Sequence, residues 1–396
     1  MQPSKRVQDI AASPIRKLSP YANSAKAQGK KVYHLNIGQP DIKTPENVIK
    51  AIQNFDDEVL AYGPSEGLHS YRNALPTYYK RYEIDIIPED ILVTTAGSEA
   101  ILFTLLATCN PGDEIIVPEP FYTNYGGFAA MAGVNIVPLT TRIEDNFELP
   151  SPAEFEAKIT NKTRAIMICS PSNPTGGVYS REVIERLVKI ADKNDIFLIA
   201  DEVYREFVFD GITPLSILDF PEISDLAIVV DSVSKRFSMC GARIGSIISR
   251  NHVLIEQILK LGQIRLCPPT IAQIAAKAAL ETPESYGKAV IAEYQKRRDA
   301  AYDALSSIPG VVTCKPHGAF YMIAKLPVDD AEKFAIFMLK DFSLDNETVM
   351  ITPAAGFYRT PGMGVDEIRL AFVLNVTDLK RSAELLRAGL LAYNSK

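Results

Sequence analysis

An α/β fold is predicted: a large domain built on a mostly parallel sheet sandwiched by helices, followed by a smaller α+β domain. Three observations predict it. With 396 residues the chain is too long for one small core, so two domains are the natural expectation. From about residue 90, short apolar runs alternate with helical stretches, the pattern of βαβ crossovers in a sheet covered on both faces. After about residue 282 the texture changes to one long charged helix and then alternating strands. The expected boundaries are an N-terminal segment at 1–45 packing with the small domain, a large domain at 46–282 and a small domain at 283–396.

Taken in order, residues 1–45 are proline-rich and lack strong periodicity, which suits a segment wrapped against other parts of the molecule. "ILVTT" (91–95) is the first strand, and "SEAILFTLLATC" follows it as a helix. "EIIVP", "NIVPL", "RAIMICS", "IFLIAD", "AIVVDS" and "RIGSIIS" supply further strands, bounded by turns and helices. Among the helices, "SREVIERLVKIADKND" has Ser180 as N-cap with Glu182 and Glu185 in its early turns. The small domain opens with the helix "ESYGKAVIAEYQKRRDAAYDALSSI". Strands "GVVTCK", "GAFYMIAKL" and "EIRLAFV" follow, with helices at 329–342 and 377–393.

Composition removes several classes of function. The 42 Lys+Arg against 48 Asp+Glu leave a net charge of −6 without a basic tail, so nucleic acid and anionic membranes are poor partners. Five scattered cysteines without C-x-x-C spacing suggest neither a disulfide framework nor a zinc site, and fit a reducing compartment. The first twenty residues hold no apolar signal core, and no apolar run approaches the roughly 18 residues of a membrane span. A cytoplasmic protein is expected.

Four motifs fall at the ends of expected strands, where open α/β sheets bind ligands. In "TTAGSEA" (94–100) the free N–H groups of Gly97 and Ser98 would face an anion at a helix N-terminus; a plain tight turn is the alternative. "PSNPTGG" (171–177) carries Asn173 in a run of turn formers that reads equally as a loop without function. "ADEVY" (200–204) brings Asp201 to the end of an apolar strand. A carboxylate there is costly to bury unless it meets a cation or donor, and a helix N-cap is the other reading. "VVDSVSKRFSMCGARIGSI" (229–247) delivers Ser232, Ser234 and Lys235 at a strand's end and sets Arg243 between glycines. By itself Lys235 could be a solvated charge, a phosphate ligand or a covalent carbonyl catcher.

Together and in this order, the motifs resemble the fold-type-I pyridoxal-5′-phosphate enzymes, specifically the class I/II aminotransferase family. The resemblance runs from "NIGQPD" near residue 38 to "IRLAF" near 370 and is nearest to the bacterial aspartate aminotransferases. The block S-x-S-K-x5-G-x-R-x-G is matched by Ser232, Ser234, Lys235, Gly241, Arg243 and Gly245. The resemblance implies that Lys235 is the Schiff-base lysine and proton carrier, and that Asp201 faces the pyridine nitrogen. It places Asn173 and Tyr204 at the ring hydroxyl and Tyr122 on the ring face. Gly97, Ser98, Ser232 and Arg243 would hold the phosphate; Ser234 is matched too, with a strand-end cap as its competing role. Arg369, in "DEIRLAF", would grip the substrate α-carboxylate beside the backbone of Gly38, with Asn173 close by.

The family also implies a homodimer with shared active sites, Tyr62 of "AYGPSEG" reaching the neighbour's cofactor phosphate. Arg265, in "GQIRLCPPTIAQ", lies where dicarboxylate-specific relatives carry an arginine that enters the neighbour's pocket. Its other reading is a helix-end arginine complementing the dipole. His69 departs from the family pattern and reads more simply as a surface or satisfied histidine than as a cofactor contact. The implied activity is transfer of an amino group from an L-amino acid, with aspartate leading, to a 2-oxo acid, with 2-oxoglutarate leading. Aromatic or alanine aminotransferases and a β-lyase of the same fold are the rivals. A cofactor-binding domain of a transcriptional regulator is disfavoured, since residues 1–45 are too short and helix-poor for a DNA-binding module. No G-x-G-x-x-G follows a strand to suggest plain nucleotide binding.

Overall fold

A computed structural model of the chain describes residues 1–8 and 10–395. Its strands run in chain order as β1 (Lys31–His34), β2 (Ile91–Thr94), β3 (Glu114–Glu119), β4 (Asn135–Thr140), β5 (Thr163–Cys169), β6 (Phe197–Asp201) and β7 (Ala227–Ser232). They continue as β8 (Gly245–Ile248), β9 (Val312–Thr313), β10 (Tyr321–Lys325), β11 (Glu347–Met350), β12 (Thr352–Pro353) and β13 (Glu367–Ala371). The seven strands expected between residues 91 and 249 form one sheet in the order β2-β8-β7-β6-β5-β3-β4. Pairs β3/β4, β3/β5, β5/β6 and β6/β7 are parallel, whereas β8 is antiparallel to both β7 and β2.

Strand alternation explains why these segments read as continuous apolar runs. Ile115, Val117 and Met167 pack into one core cluster, while Ile116, Ile166 and Ile168 pack into another across the sheet. Both faces are buried, so no polar phase is left in the pattern. Of the covering helices, Arg181–Asn194 begins as expected: the Ser180 hydroxyl accepts from the Val183 amide at 3.4 Å. It ends at Asp195 in the left-handed conformation (φ 51°).

The C-terminal part holds the antiparallel sheet β12-β13-β10-β9 and the helices Glu284–Ser306, Ala331–Lys340 and Val376–Asn394. Its Phe320, Met322, Phe334 and Leu370 belong to the same core cluster as Ile115 and Met167 of the large sheet. The N-terminal segment is pinned rather than loose. β1 pairs in parallel with β11, Lys31 opposite Glu347, and Asn36 Nδ2 donates to the Ile15 carbonyl at 2.9 Å. Neither β1 nor β11 was foreseen, each having only four residues and a partner more than 300 positions away. Among the described residues no helix is long and apolar enough to cross a membrane, and no group of three His, Cys, Asp or Glu could hold a metal ion.

Candidate active site

The carboxyl ends of β2, β5, β6 and β7 share one edge of the sheet, and a cleft of about 680 Å³ opens there. Gly38, Gly97, Ser98, Tyr122, Asn173, Asp201, Tyr204, Ser232, Ser234, Lys235, Arg243 and Arg369 all line it. Tyr62, His69 and Arg265 do not.

After β7 the chain turns, and the turn is built by its serines. Ser232 Oγ donates to the Ile244 carbonyl at 2.7 Å and lies 2.7 Å from Ser234 Oγ, both hydroxyls being buried. The turn projects Lys235 into the cleft, where Nζ donates to the Gly38 carbonyl at 2.9 Å. Gly38 cannot be larger: a Cβ there would fall 1.8 Å from the Tyr321 hydroxyl oxygen. That hydroxyl lies 2.8 Å from the Tyr204 hydroxyl, so Gly38, Lys235, Tyr204 and Tyr321 interlock.

Asp201 ends β6 at 4% exposure. Its Oδ2 accepts from the Tyr125 hydroxyl at 2.6 Å and its Oδ1 from the Val203 amide at 3.3 Å. Burial pushes its carboxyl up to about 6 despite both donors, since the charged form is poorly solvated there. A cation beside it would restore the ionised form.

The turn after β2 brings a helix N-terminus to the cleft. Ala96 takes φ +64° as the helix Ala96–Thr108 begins, and Gly97 and Ser98 line the cleft at that helix's N-terminus. β8 packs so closely beneath that a Cβ on Gly245 would come within 2.5 Å of the Ala96 carbonyl carbon. Arg243, in the left-handed region at φ 58°, stands exposed and also lines the cleft, its Nη1 donating to the Cys240 carbonyl at 3.1 Å.

Arg369, in β13, is 1% exposed. Nη1 donates to Asn173 Oδ1 at 3.2 Å and Nη2 to the Asn36 carbonyl, while Nε has no partner. The guanidinium carbon lies 4.6 Å from the Tyr321 ring centre, and burial pulls the group's pKa down. No carboxylate pairs with it among the described residues. A buried, unneutralised cation facing a cleft is a receptor for an anion.

Arg265 ends the helix His252–Arg265 and is half-buried. Nη1 pairs with Glu99 Oε2 at 2.6 Å, and Nη2 donates to the Ser65 carbonyl at 3.0 Å. Glu99 Oε2 also accepts from the Thr95 amide at 2.7 Å. The charge of Arg265 therefore braces the turn carrying Gly97 and Ser98. His69 is exposed at the start of the helix His69–Lys80, away from the cleft. Tyr62 is 81% exposed, on a stretch next to residues 262–266.

Sequence reasoning missed Tyr125, Tyr321 and Arg16. Tyr125 lies three residues after Tyr122, in the first turn of the helix Asn124–Ala132, and the two rings meet edge-on at 5.5 Å. Tyr321 opens β10 in "GAFYMI", where it reads as an ordinary core aromatic. Arg16 lines the cleft from the N-terminal segment, where the sequence has no periodicity to single it out.

Residues 30–385 match the family described as "Aminotransferase class I and II". An aspartate aminotransferase of Thermotoga maritima is 33% identical over 97% of this chain and 97% of its own. The solved structure of an alanine aminotransferase from Pyrococcus furiosus is similar at TM-score 0.89 and 32% identity, covering 99% of this chain and 100% of that one. That of an aspartate aminotransferase from Rhizobium meliloti reaches TM-score 0.90 at 27% identity, covering 98% of this chain and 99% of that one.

Proposed function

The chain belongs to the class I and II aminotransferases, and from that premise we propose that it moves the amino group of L-aspartate to 2-oxoglutarate with pyridoxal 5′-phosphate held in the cleft. The observation that carries the reading is Arg369: a buried guanidinium with an unpartnered Nε, aimed where an α-carboxylate would close a two-pronged pair. Arg16 lines the same cleft and makes no ion pair among the described residues. It offers the second cation that a dicarboxylic donor requires, a role Arg265 cannot fill while bound to Glu99.

The residues present fit the cofactor. Its phosphate suits the amides of Gly97 and Ser98, the hydroxyls of Ser232 and Ser234, and Arg243. Its ring nitrogen, once protonated, is the cation that Asp201 lacks. Tyr122 offers a ring face, and Asn173 and Tyr204 offer polar atoms to the ring hydroxyl. Bound there, pyridoxal phosphate supplies an aldehyde that captures an amine and a ring that accepts electrons.

The chain's own residues do the rest. Arg369 binds and orients the amino acid through its carboxylate. Lys235 Nζ, positioned by the Gly38 carbonyl, removes the Cα proton and returns it to a neighbouring carbon. Ionised Asp201, fixed by Tyr125, stabilises positive charge on the ring side of the cleft.

A homodimer completes this reading. Val59, Leu60 and Tyr62 are exposed at 74%, 62% and 81%, and Ile264 at 81%. These two stretches adjoin through the Arg265–Ser65 contact, an apolar patch that a second copy would cover. Five free cysteines support a reducing, cytoplasmic setting.

A donor-by-acceptor panel on purified holoenzyme tests the proposal. Aspartate alone should convert the cofactor to its amine form and release oxaloacetate, with 2-oxoglutarate restoring it. Arg16→Ala should lose aspartate activity and keep alanine activity. Release of ammonia and pyruvate from a donor bearing a β leaving group, without amine-form accumulation, would favour a lyase instead.

A further inference from the structure

A second cavity, of about 640 Å³, lies where the first turns of the helix Glu284–Ser306 pass over the segments 206–212 and 236–237. It shares no lining residue with the cleft. Tyr82, Phe237, Tyr286 and Ile291 give it an aromatic and branched-chain wall. Its size falls within the range of small-molecule sites, which pair such walls with a few polar groups.

Two features set this cavity apart from a packing defect. Gly287 borders it from within the helix, where glycine is less favourable than alanine. A Cβ at that position would meet nothing within 4 Å, so close packing does not require the glycine. Its effect is to leave the space open. The second feature is a cation without a carboxylate. Arg236, 5% exposed, is neutralised by Asp231 and by Glu206, which also lines the cavity. Arg81 donates to the Leu280 carbonyl at 3.0 Å and pairs with no carboxylate among the described residues.

We propose that this cavity binds a small organic anion with an aromatic or branched hydrocarbon body, at a site separate from transamination. The anion would meet Arg81, with its apolar body against Phe237 and Tyr286. The site is wired to the cleft through shared segments. Arg236 follows Lys235 in the chain, and Phe207, which also lines the cavity, packs edge-on at 6.4 Å from the Tyr204 ring. The Phe207 carbonyl accepts from the Ala319 amide at 2.8 Å, two residues before Tyr321. A ligand wedged between the helix and Phe207 thus bears on the Tyr204–Tyr321 hydroxyl pair, a coupling between two sites through packed elements.

The chain has no tryptophan, so indole emission from an added ligand reports on that ligand alone. Holoenzyme is titrated with indole-3-propionate, which has no amino or oxo group to transfer, and anisotropy is read. Saturable binding is expected. Gly287→Leu, which fills the cavity, should abolish it, and Arg81→Gln should weaken it about tenfold, the factor carried by a 1.4 kcal/mol contact. Arg369→Ala should leave it unchanged. Both cavity variants should keep the cofactor's absorbance and basal transamination, which verifies folding. Binding that survives Gly287→Leu, binding lost in Arg369→Ala, inhibition purely competitive with the amino donor, or no saturation at millimolar probe would each overturn the proposal.

Discussion

Replacing Asp201 by asparagine isolates the physical claim on which the cleft's electrostatics rest. The substitution keeps the side chain's size and an acceptor for the Tyr125 hydroxyl, but removes ionisation. Burial raises the Asp201 carboxyl from the usual value near 4 to about 6 in the cofactor-free protein. Between those values the folded chain keeps a proton that the unfolded chain has released. Stability is therefore lost as pH rises through the window, and levels off above about 7. At about 1.36 kcal/mol per pH unit, a span of about two units amounts to about 3 kcal/mol. Glu202, pushed to about 7 by burial, and the raised Asp219 and Glu367 titrate nearby, but they are present in both proteins and cancel in the difference. Urea unfolding of cofactor-free wild type and Asp201→Asn, at steps from pH 4 to 7, measures it. The wild-type curve should fall relative to the variant by about 3 kcal/mol. Loading wild type with cofactor should remove that fall, because a cationic ring nitrogen favours the ionised carboxylate. A flat difference without cofactor would refute the burial argument. A slope that persists after loading would refute the placement of the nitrogen at Asp201.

Lys235→Ala should still bind the cofactor through phosphate and ring contacts while transamination falls by several orders of magnitude, read as single-turnover loss of the amine-form band. Arg369→Ala should lower kcat/KM for aspartate and alanine alike by about 2–5 kcal/mol, the cost of leaving a desolvated carboxylate unpaired; steady-state kinetics with both donors decides this. Arg265→Ala should weaken cofactor retention in dialysis by loosening Glu99 and the turn it braces, with the ratio of aspartate to alanine activity unchanged. Mixing Tyr62→Ala with Lys235→Ala should restore activity after subunit exchange, since one site of the hybrid dimer would carry neither defect.

The large sheet was legible because its strands are buried on both faces, so each reads as an unbroken apolar run ended by a turn. Its motifs were legible for a related reason: chemistry at a strand's end follows directly on the strand in sequence. What could not be read are contacts between distant segments. The Gly38 carbonyl meets Lys235 across 197 positions, and the Tyr125 hydroxyl meets Asp201 across 76. No local pattern encodes such pairs. Arg265 shows the same limit. Its place before "CPP" marks a helix end, but its partner Glu99 lies 166 positions away.

Two departures from local consistency sit where the cleft is built. Left-handed backbone is cheap at Asn146, Asp195 and Asn346, whose short polar side chains tolerate it. It is costly at Ala96 and Arg243, both of which line the cleft, and at Ala319, which precedes Tyr321. Each is held by surrounding structure: Ala96 and Arg243 by β8, whose Gly245 leaves no room for a side chain, and Ala319 by its amide bond to the Phe207 carbonyl. Buried charge follows the same logic. Asp231 lies at 0% exposure, yet Arg236 and Arg205 outweigh the burial cost and hold its carboxyl below the usual range. Asp201 and Arg369 are buried almost as deeply without an ion pair, and burial moves each toward its neutral form, the charge of Lys235 only partly opposing this at Asp201. A chain selected for stability alone would pair these two groups or remove them. Leaving both exposed to one cleft, on separate sheets, is what lets an incoming cation and an incoming carboxylate be recognised there.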